Sequence, residues 1–336
     1  MDNNINLNSI NSNKIQVSII IPTFNRRKSL QRVLDSLFAQ TFPQENFEII
    51  LVNDGSTDDT EQTILDLKKS HPNICYIKQI NKGIASARNN GINNSKGDII
   101  GFTDDDCIVD PFWIQHAVES LKNNELCGVQ GKTLPESPID PKKLLFHYVH
   151  AVKNTGKENT ISYQTCNIFY RKKHLIEIAG FDEKLRYGSD DDIAFRLIRK
   201  GYKIKFDENV LVYHEVRYQN LLDYISKKLK RDGYLPLFYK KNPEYRDRIF
   251  LKVFARRSHI YPVFAIGTIL LYLLNLEISI PLFFTLFAFL ASRVFFDRNY
   301  KMMPLRLLLF WRYFLIDFVS VYYVVKGSIK NRYLLI

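Results

Sequence analysis

Four short apolar runs, at residues 17–21, 47–52, 74–79 and 99–102, each break off into polar residues. The first ends at Pro22, the second at Asn53-Asp54-Gly55 and the fourth at Thr103-Asp104-Asp105-Asp106. Runs this rich in Ile and Val, without polar alternation, are read as strands buried on both faces, as in a parallel sheet. The stretches between them have a different period. In 28–39, Leu30, Val33, Leu34, Leu37 and Phe38 recur at helical spacing. Ser56-Thr57-Asp58 supplies capping chemistry ahead of a second helical stretch, 60–69. Strand–helix–strand in repetition predicts an α/β sheet with right-handed crossovers.

The composition changes near residue 260. Residues 260–276 are almost wholly apolar, Glu277 interrupts, and 278–296 continue with no charge before Arg293. Each stretch approaches the roughly 17–25 residues that cross a bilayer as helix. A third segment, 305–325, is apolar and aromatic but carries Arg306, Arg312 and Asp317. Such charges are costly in hydrocarbon, so an interfacial or re-entrant helix is expected there. Arg256, Arg257, Arg298, Lys301, Lys326 and Lys330 flank the three segments. The positive-inside tendency places all these flanks in the cytoplasm, as a two-span hairpin with Glu277 at its outer turn requires. A pair of buried helices in a soluble C-terminal region is the competing reading.

With 336 residues, one large domain or two is the expectation. A net charge of +12 suits anionic lipid, an anionic substrate or nucleic acid. Nucleic acid ranks last, because much of the basic excess flanks the apolar segments. Cys75, Cys107, Cys127 and Cys166 form no CxxC pair, which implies free thiols in a reducing compartment. Residues 1–14 are polar and Asn-rich, and read as a disordered lead without a signal-peptide core.

Three consecutive aspartates after an apolar strand repel one another unless a cation sits among them. Mg²⁺ or Mn²⁺ takes one or two carboxylates plus phosphate oxygens, which suits a diphosphate ligand. Residues 22–26, 53–56, 81–83 and 104–106 fall beyond the carboxyl ends of the predicted strands, where ligands of such sheets bind. Asp54 there can bond a base or ribose. Arg88, on the helix after Gly83, either reaches into the same crevice or locks its helix to the sheet through an ion pair. Gly131-Lys132-Thr133 mimics the end of a phosphate loop, but Leu126 occupies the position of its first glycine. No GxGxxG follows the first strand, which argues against a dinucleotide-binding dehydrogenase.

The stretches VSIIIPTFNR, VNDGSTDDT, NKGIASARNNGI, GDIIGFTDDDC and GSDDDIAFRL occur in this order within residues 15–220. Together they resemble the inverting family 2 glycosyltransferases, of the membrane-associated bacterial type. The resemblance implies a GT-A fold over 15–240. This is a Rossmann-like α/β domain whose mixed, mainly parallel sheet is flanked by helices, followed by C-terminal membrane helices in 241–336. It implies transfer of a sugar from a nucleotide-diphosphate sugar, usually a UDP-sugar, with Mn²⁺ or Mg²⁺. By the same resemblance Pro22, Thr23 and Arg26 line the nucleotide side, Asp54 contacts the base, and Arg88 supports the nucleotide pocket. Asp104 and Asp106 form the DXD motif, with Asp104 nearer the ribose, Asp106 on the metal, and Asp105 between them on the donor. His214 completes the metal site in similar enzymes, although a lone histidine is also a common structural residue.

An inverting transfer also needs a base on the face opposite the leaving diphosphate. Gly188-Ser189-Asp190-Asp191-Asp192 is the second acidic cluster. The family usually has Glu-Asp where this chain has Ser189-Asp190, so Asp190 inherits the base. Asp191 and Asp192 stay open as alternatives, with Asp192 favoured for capping the helix. No QxxRW motif follows, which implies one or a few sugars per acceptor rather than a polymer. The basic, aromatic stretch 221–241 suits anionic lipid or a lipid-linked acceptor, at the cytoplasmic face of the cell membrane. His147 and His150 are read as surface or acceptor-channel residues. A nucleotidyltransferase and a catalytically dead membrane scaffold are the other function classes.

Overall fold

The computed structural model describes residues 15–140, 143, 147–150, 152–156, 162–248, 260–274 and 303–336. In chain order the first half gives β1 (Val17–Thr23), α1 (Arg27–Phe38), β2 (Phe47–Asn53), α2 (Thr60–Ser70), β3 (Ile74–Lys78), α3 (Ile84–Asn94) and β4 (Ile99–Phe102). Then come β5 (Cys107–Val109), α4 (Trp113–Ser120), β6 (Leu126–Pro135), β7 (His147–His150), β8 (Ile168–Arg171), α5 (Lys172–Glu177), α6 (Ser189–Arg199), β9 (Lys203–His214) and β10 (Arg217–Asn220). The chain divides into two compact units. One falls within Met1–Ile139 and His150–Arg217, the other within Asp140–Val149 and Tyr218–Ile336.

The first unit holds an eight-stranded sheet in the order β3-β2-β1-β4-β8-β6-β9-β5. Its first four strands are parallel, as their uninterrupted apolar runs predict, and β1 and β2 are buried at all seven positions each. The other half is mixed: β8 runs antiparallel to β4 and β6, β5 antiparallel to β9, and β6 parallel to β9. Leu30, Val33, Leu34 and Leu37 of α1 bury their stripe on this sheet, and Trp113 packs on Phe169 with ring centroids 4.4 Å apart. Burying a side chain of this size contributes about 1.5–3 kcal/mol.

The antiparallel strands have a consequence for the site. Phe102 at the end of β4 pairs with Ile168 at the start of β8, so the residues before β8 lie at the carboxyl edge of β4. Cys107 at the start of β5 pairs with His214 at the end of β9. Gly91 brings α3 close to β1: a Cβ there would lie 2.5 Å from Ile20 Cγ2. Arg88, one turn earlier on the same face of α3, is thereby sunk against the sheet end, 2% exposed.

The second unit contains α7 (Leu221–Asp232), α8 (Leu235–Lys241), α9 (Ile260–Leu273) and α10 (Met303–Asn331). Lys228 is buried and ion-paired to Asp232, which also accepts from Ser320 of α10. This corrects the reading of Lys228 as part of a basic face for lipid: its charge is used inside the unit. Among the described residues, no helix is long and apolar enough to cross a membrane. That departs from the expected C-terminal membrane helices. α9 has 14 residues, about 21 Å of helix against a hydrocarbon core of about 30 Å. Asp317 and Ser320 of α10 are buried, while Phe318, Tyr322 and Ile329 are exposed. The expected span at 278–296 and the lead at 1–14 lie outside the described residues, as do Arg256, Arg257, Arg298 and Lys301.

Candidate active site

A cleft of about 400 Å³ opens at the carboxyl edge of β1, β2 and β4. Pro22, Thr23, Phe24, Arg26, Asp54, Asn81, Gly83, Ile84, Asp104, Asp105 and Asp106 line it. The parallel strands explain this convergence: all three end at the same edge, with Thr23 level with Asn53. Of the residues singled out in the sequence, Pro22, Thr23, Arg26, Asp54, Asp104, Asp105 and Asp106 meet here.

Asp54 anchors the rim. Its Oδ1 accepts from Gln79 Nε2 at 2.8 Å and the Lys82 N–H at 2.9 Å, and its Oδ2 from the Gly83 N–H at 2.9 Å. Gly83, at φ +96°, turns the chain into α3 from this anchor. The first loop is tied to the second: Asn25 Oδ1 accepts the Thr57 N–H at 2.8 Å, and Ser56 Oγ accepts the Asn25 N–H at 2.9 Å.

The three consecutive aspartates do three different things. Asp104 accepts from Arg88 Nη2 at 3.0 Å. Burial pushes its carboxyl up, against the pull of that guanidinium. Asp105 accepts from Thr23 Oγ1 at 2.8 Å, and burial raises its pKa to about 7. Asp106 points toward β9, with Oδ1 3.4 Å from His214 Nε2 and Oδ2 held by Arg217. Oδ1 is buried and has no hydrogen-bond partner.

Asp106, Cys107 and His214 each offer one ligand atom, all within 4.8 Å of one another. The paired positions of Cys107 and His214 put both side chains on one face of their ladder. His214 Nδ1 lies 3.0 Å from the Glu215 carbonyl. A carbonyl only accepts, so Nδ1 carries a proton, and in the neutral ring Nε2 is the nitrogen that faces Asp106 with a lone pair. An orphaned carboxylate oxygen facing an imidazole nitrogen fits a divalent cation.

Arg88 reaches the second acidic cluster. Its Nη1 donates to Asp190 Oδ1 at 3.0 Å, so one guanidinium joins Asp104 to Asp190. Burial opposes the Arg88 charge, and Asp190 and Asp104 together outweigh it, so its pKa rises. Both readings of Arg88 from sequence, ion pair and crevice, meet in this one geometry. Asp190 Oδ2 accepts the Thr165 hydroxyl at 2.7 Å. Asp190 lies in the first turn of α6, after Gly188, whose φ of +77° lets the chain turn into the helix.

Asp191 and Asp192 face elsewhere. Asp191 Oδ1 accepts the Tyr163 N–H at 2.8 Å. Asp192 is buried and holds Arg196 Nε at 2.8 Å, and Arg196 donates on to the Ile178 and Gly180 carbonyls. His150 stacks edge-on against His214, ring centroids 5.6 Å apart. Nothing in the sequence singles out Thr165, Cys107 or Arg217. Thr165 and Arg217 lie in no run of like chemistry, and Cys107 stands there only as a thiol without a CxxC partner.

Comparison with known proteins agrees with this architecture. Residues 18–179 match the glycosyl transferase family 2 model. The uncharacterized glycosyltransferase EpsJ of Bacillus subtilis is 31% identical over 211 residues, 59% of this chain and 61% of that protein. The glycosyltransferase AglE of Haloferax volcanii is 27% identical over 206 residues, 60% of this chain and 67% of that protein. The chain thus spans about three-fifths to two-thirds of these relatives' lengths. The solved mannosyltransferase PcManGT of Pyrobaculum calidifontis, in complex with GDP-Man and Mn²⁺, is similar in fold. Its TM-score is 0.58 at 17% identity, over 95% of this chain and 87% of that one. TarS 1-349 of S. aureus with UDP-GlcNAc has a TM-score of 0.50 at 18% identity, over 95% and 92% of the two chains.

Proposed function

We propose that this protein is a metal-dependent inverting glycosyltransferase that uses a nucleotide-diphosphate sugar, with UDP-sugars as the donors to test first. The observation that carries the reading is the bridge from Asp104 through Arg88 to Asp190. It couples a carboxylate of the nucleotide cleft to a separate carboxylate outside it, as an in-line displacement demands.

In this reading the nucleotide lies in the cleft between Asp54 and Asp104, with Pro22, Thr23 and Arg26 along its side. Asp106 and His214 would hold the cation, with Cys107 in reach. Nitrogen and sulfur donors favour Mn²⁺ over Mg²⁺. When bound, the cation neutralises charge on the departing diphosphate. Asp190 takes the proton of the acceptor hydroxyl as that oxygen bonds to the anomeric carbon. The bond from that carbon to the diphosphate breaks, and the nucleoside diphosphate leaves. Thr165 and Arg88 hold the Asp190 carboxylate in place for this.

The acceptor we propose is a lipid-linked or cell-surface glycan, extended without processivity at the cytoplasmic face of the cell membrane. The absence of QxxRW, the net charge of +12 and the exposed Phe318, Tyr322 and Ile329 of α10 support this.

The test is nucleoside diphosphate release from a panel of nucleotide-sugars with candidate lipid acceptors, with Mn²⁺ and then with chelator, beside Asp106→Ala and Asp190→Asn. Cation-dependent release from one donor, lost in both variants, is expected. Release of pyrophosphate would indicate a nucleotidyltransferase. No turnover above the variants with any donor would favour a scaffold.

A further inference from the structure

The two oxygens of Asp106 are not equivalent. Oδ1 is the orphan that faces His214, while Oδ2 receives an N–H of Arg217. Arg217 also donates its Nε–H to Glu215 Oε2 at 2.9 Å, so two carboxylates share it. The segment is pinned in place by the Glu215 N–H, which donates to the Asp106 carbonyl at 2.9 Å. Asp106 lines the cleft, so the guanidinium stands one carboxylate away from the space assigned to the donor. Its side chain is 19% exposed.

We propose that Arg217 is a resident counter-cation of Asp106 that competes with the divalent cation, and that the donor diphosphate relieves this competition by taking the guanidinium. The inference rests on the metal and donor reading above. A guanidinium on Oδ2 cancels much of the charge that would attract a cation to Oδ1. Its planar fork matches diphosphate oxygens as well as it matches a carboxylate. Cation and donor therefore bind cooperatively, and by linkage each raises the affinity of the other equally.

The experiment is titration of the full chain with Mn²⁺ alone, followed by electron paramagnetic resonance, then in saturating UDP or GDP, whichever the release assay selects. Wild type is compared with Arg217→Gln, Arg217→Lys, Glu215→Gln and Asp106→Ala, each checked for folding by circular dichroism. Without nucleotide, Arg217→Gln should bind Mn²⁺ up to about fivefold more tightly, the scale of breaking one partly exposed ion pair. Glu215→Gln should bind it more weakly, because Arg217 then rests on Asp106 alone. Arg217→Lys should fall between wild type and Arg217→Gln, because an ammonium keeps the charge but not the fork that joins Asp106 to Glu215. The rise in Mn²⁺ affinity on adding nucleotide should shrink in Arg217→Gln. Unchanged or weaker Mn²⁺ binding in that variant, with binding still abolished in Asp106→Ala, would overturn the proposal and leave the metal reading standing. Mn²⁺ binding equal in wild type and Asp106→Ala would overturn both.

Discussion

Arg88 donates to Asp190 at 3.0 Å across 102 residues of sequence, from a side chain almost wholly buried. The same guanidinium holds Asp104 at 3.0 Å. One planar fork thus sets the spacing between the nucleotide cleft and the carboxylate assigned as base. A lysine ammonium is a compact charge without this rigid two-pronged fork.

Arg88→Lys should therefore keep the charge and lose the bridge, lowering turnover by roughly 100-fold, within the range of misplacing a catalytic group. Arg88→Met should also destabilise the fold. Breaking a fully buried pair costs about 3–5 kcal/mol, and the partial exposure of Asp104 and Asp190 lowers the expectation to roughly 1–3 kcal/mol. Steady-state kinetics and urea unfolding of both variants check this. Full activity in Arg88→Lys would show that the fork is dispensable.

The neighbouring aspartates of α6 separate by role. Asp190→Asn should lose roughly 10²–10⁴-fold in turnover while retaining donor binding. Asp191→Asn keeps an acceptor for the Tyr163 N–H and should change little. Asp192→Ala removes the partner of Arg196 and should cost stability, about 1–3 kcal/mol, more than it costs the chemical step. Donor binding by calorimetry beside turnover distinguishes the three, and a larger turnover loss in Asp191→Asn would move the base there.

Asp105 predicts a pH dependence. Its pKa rises from 3.8 to about 7 on folding, chiefly through burial. Between those values the folded protein binds more protons than the unfolded chain, so this group's contribution to stability falls as pH rises through the window. Asp105→Asn has no such loss. Its stability minus that of wild type should grow from pH 4 to pH 8, by about 4 kcal/mol at most. Urea unfolding across this range measures the difference, and a flat one would place Asp105 in a more solvated environment.

In the second unit, Lys228→Met strips Asp232 of its buried cation. A loss of roughly 3–5 kcal/mol is expected. Replacing both, with Asp232→Leu added, should recover most of it, since two apolar side chains need no counter-charge. Thermal unfolding of the single and double variants tests this. A neutral single variant would mean that solvent reaches the pair.

The local physics of the chain was sufficient for much of this. Uninterrupted Ile- and Val-rich runs cannot be half-solvated strands, so the parallel β1–β4 core, the α1 stripe and the cleft at the carboxyl edge were legible from residues 17–106 alone. Thr23, Asp54 and the aspartates 104–106 were legible for the same reason, since each directly follows or ends a strand. What the sequence could not decide was which carboxylate faces which partner. Asp104, Asp105 and Asp106 are chemically identical in the chain, and their separation into an Arg88 partner, a buried acid and a His214 neighbour depends on three different elements meeting at one edge. The contacts of Thr165 with Asp190 and of Arg217 with Asp106 arise from strands that return antiparallel to β4 and β5, over separations of 25 and 111 residues. The C-terminal unit shows the same limit. Hydropathy counts side chains along the chain, whereas burial of Lys228, Asp232 and Ser320 is settled by helices packing on one another.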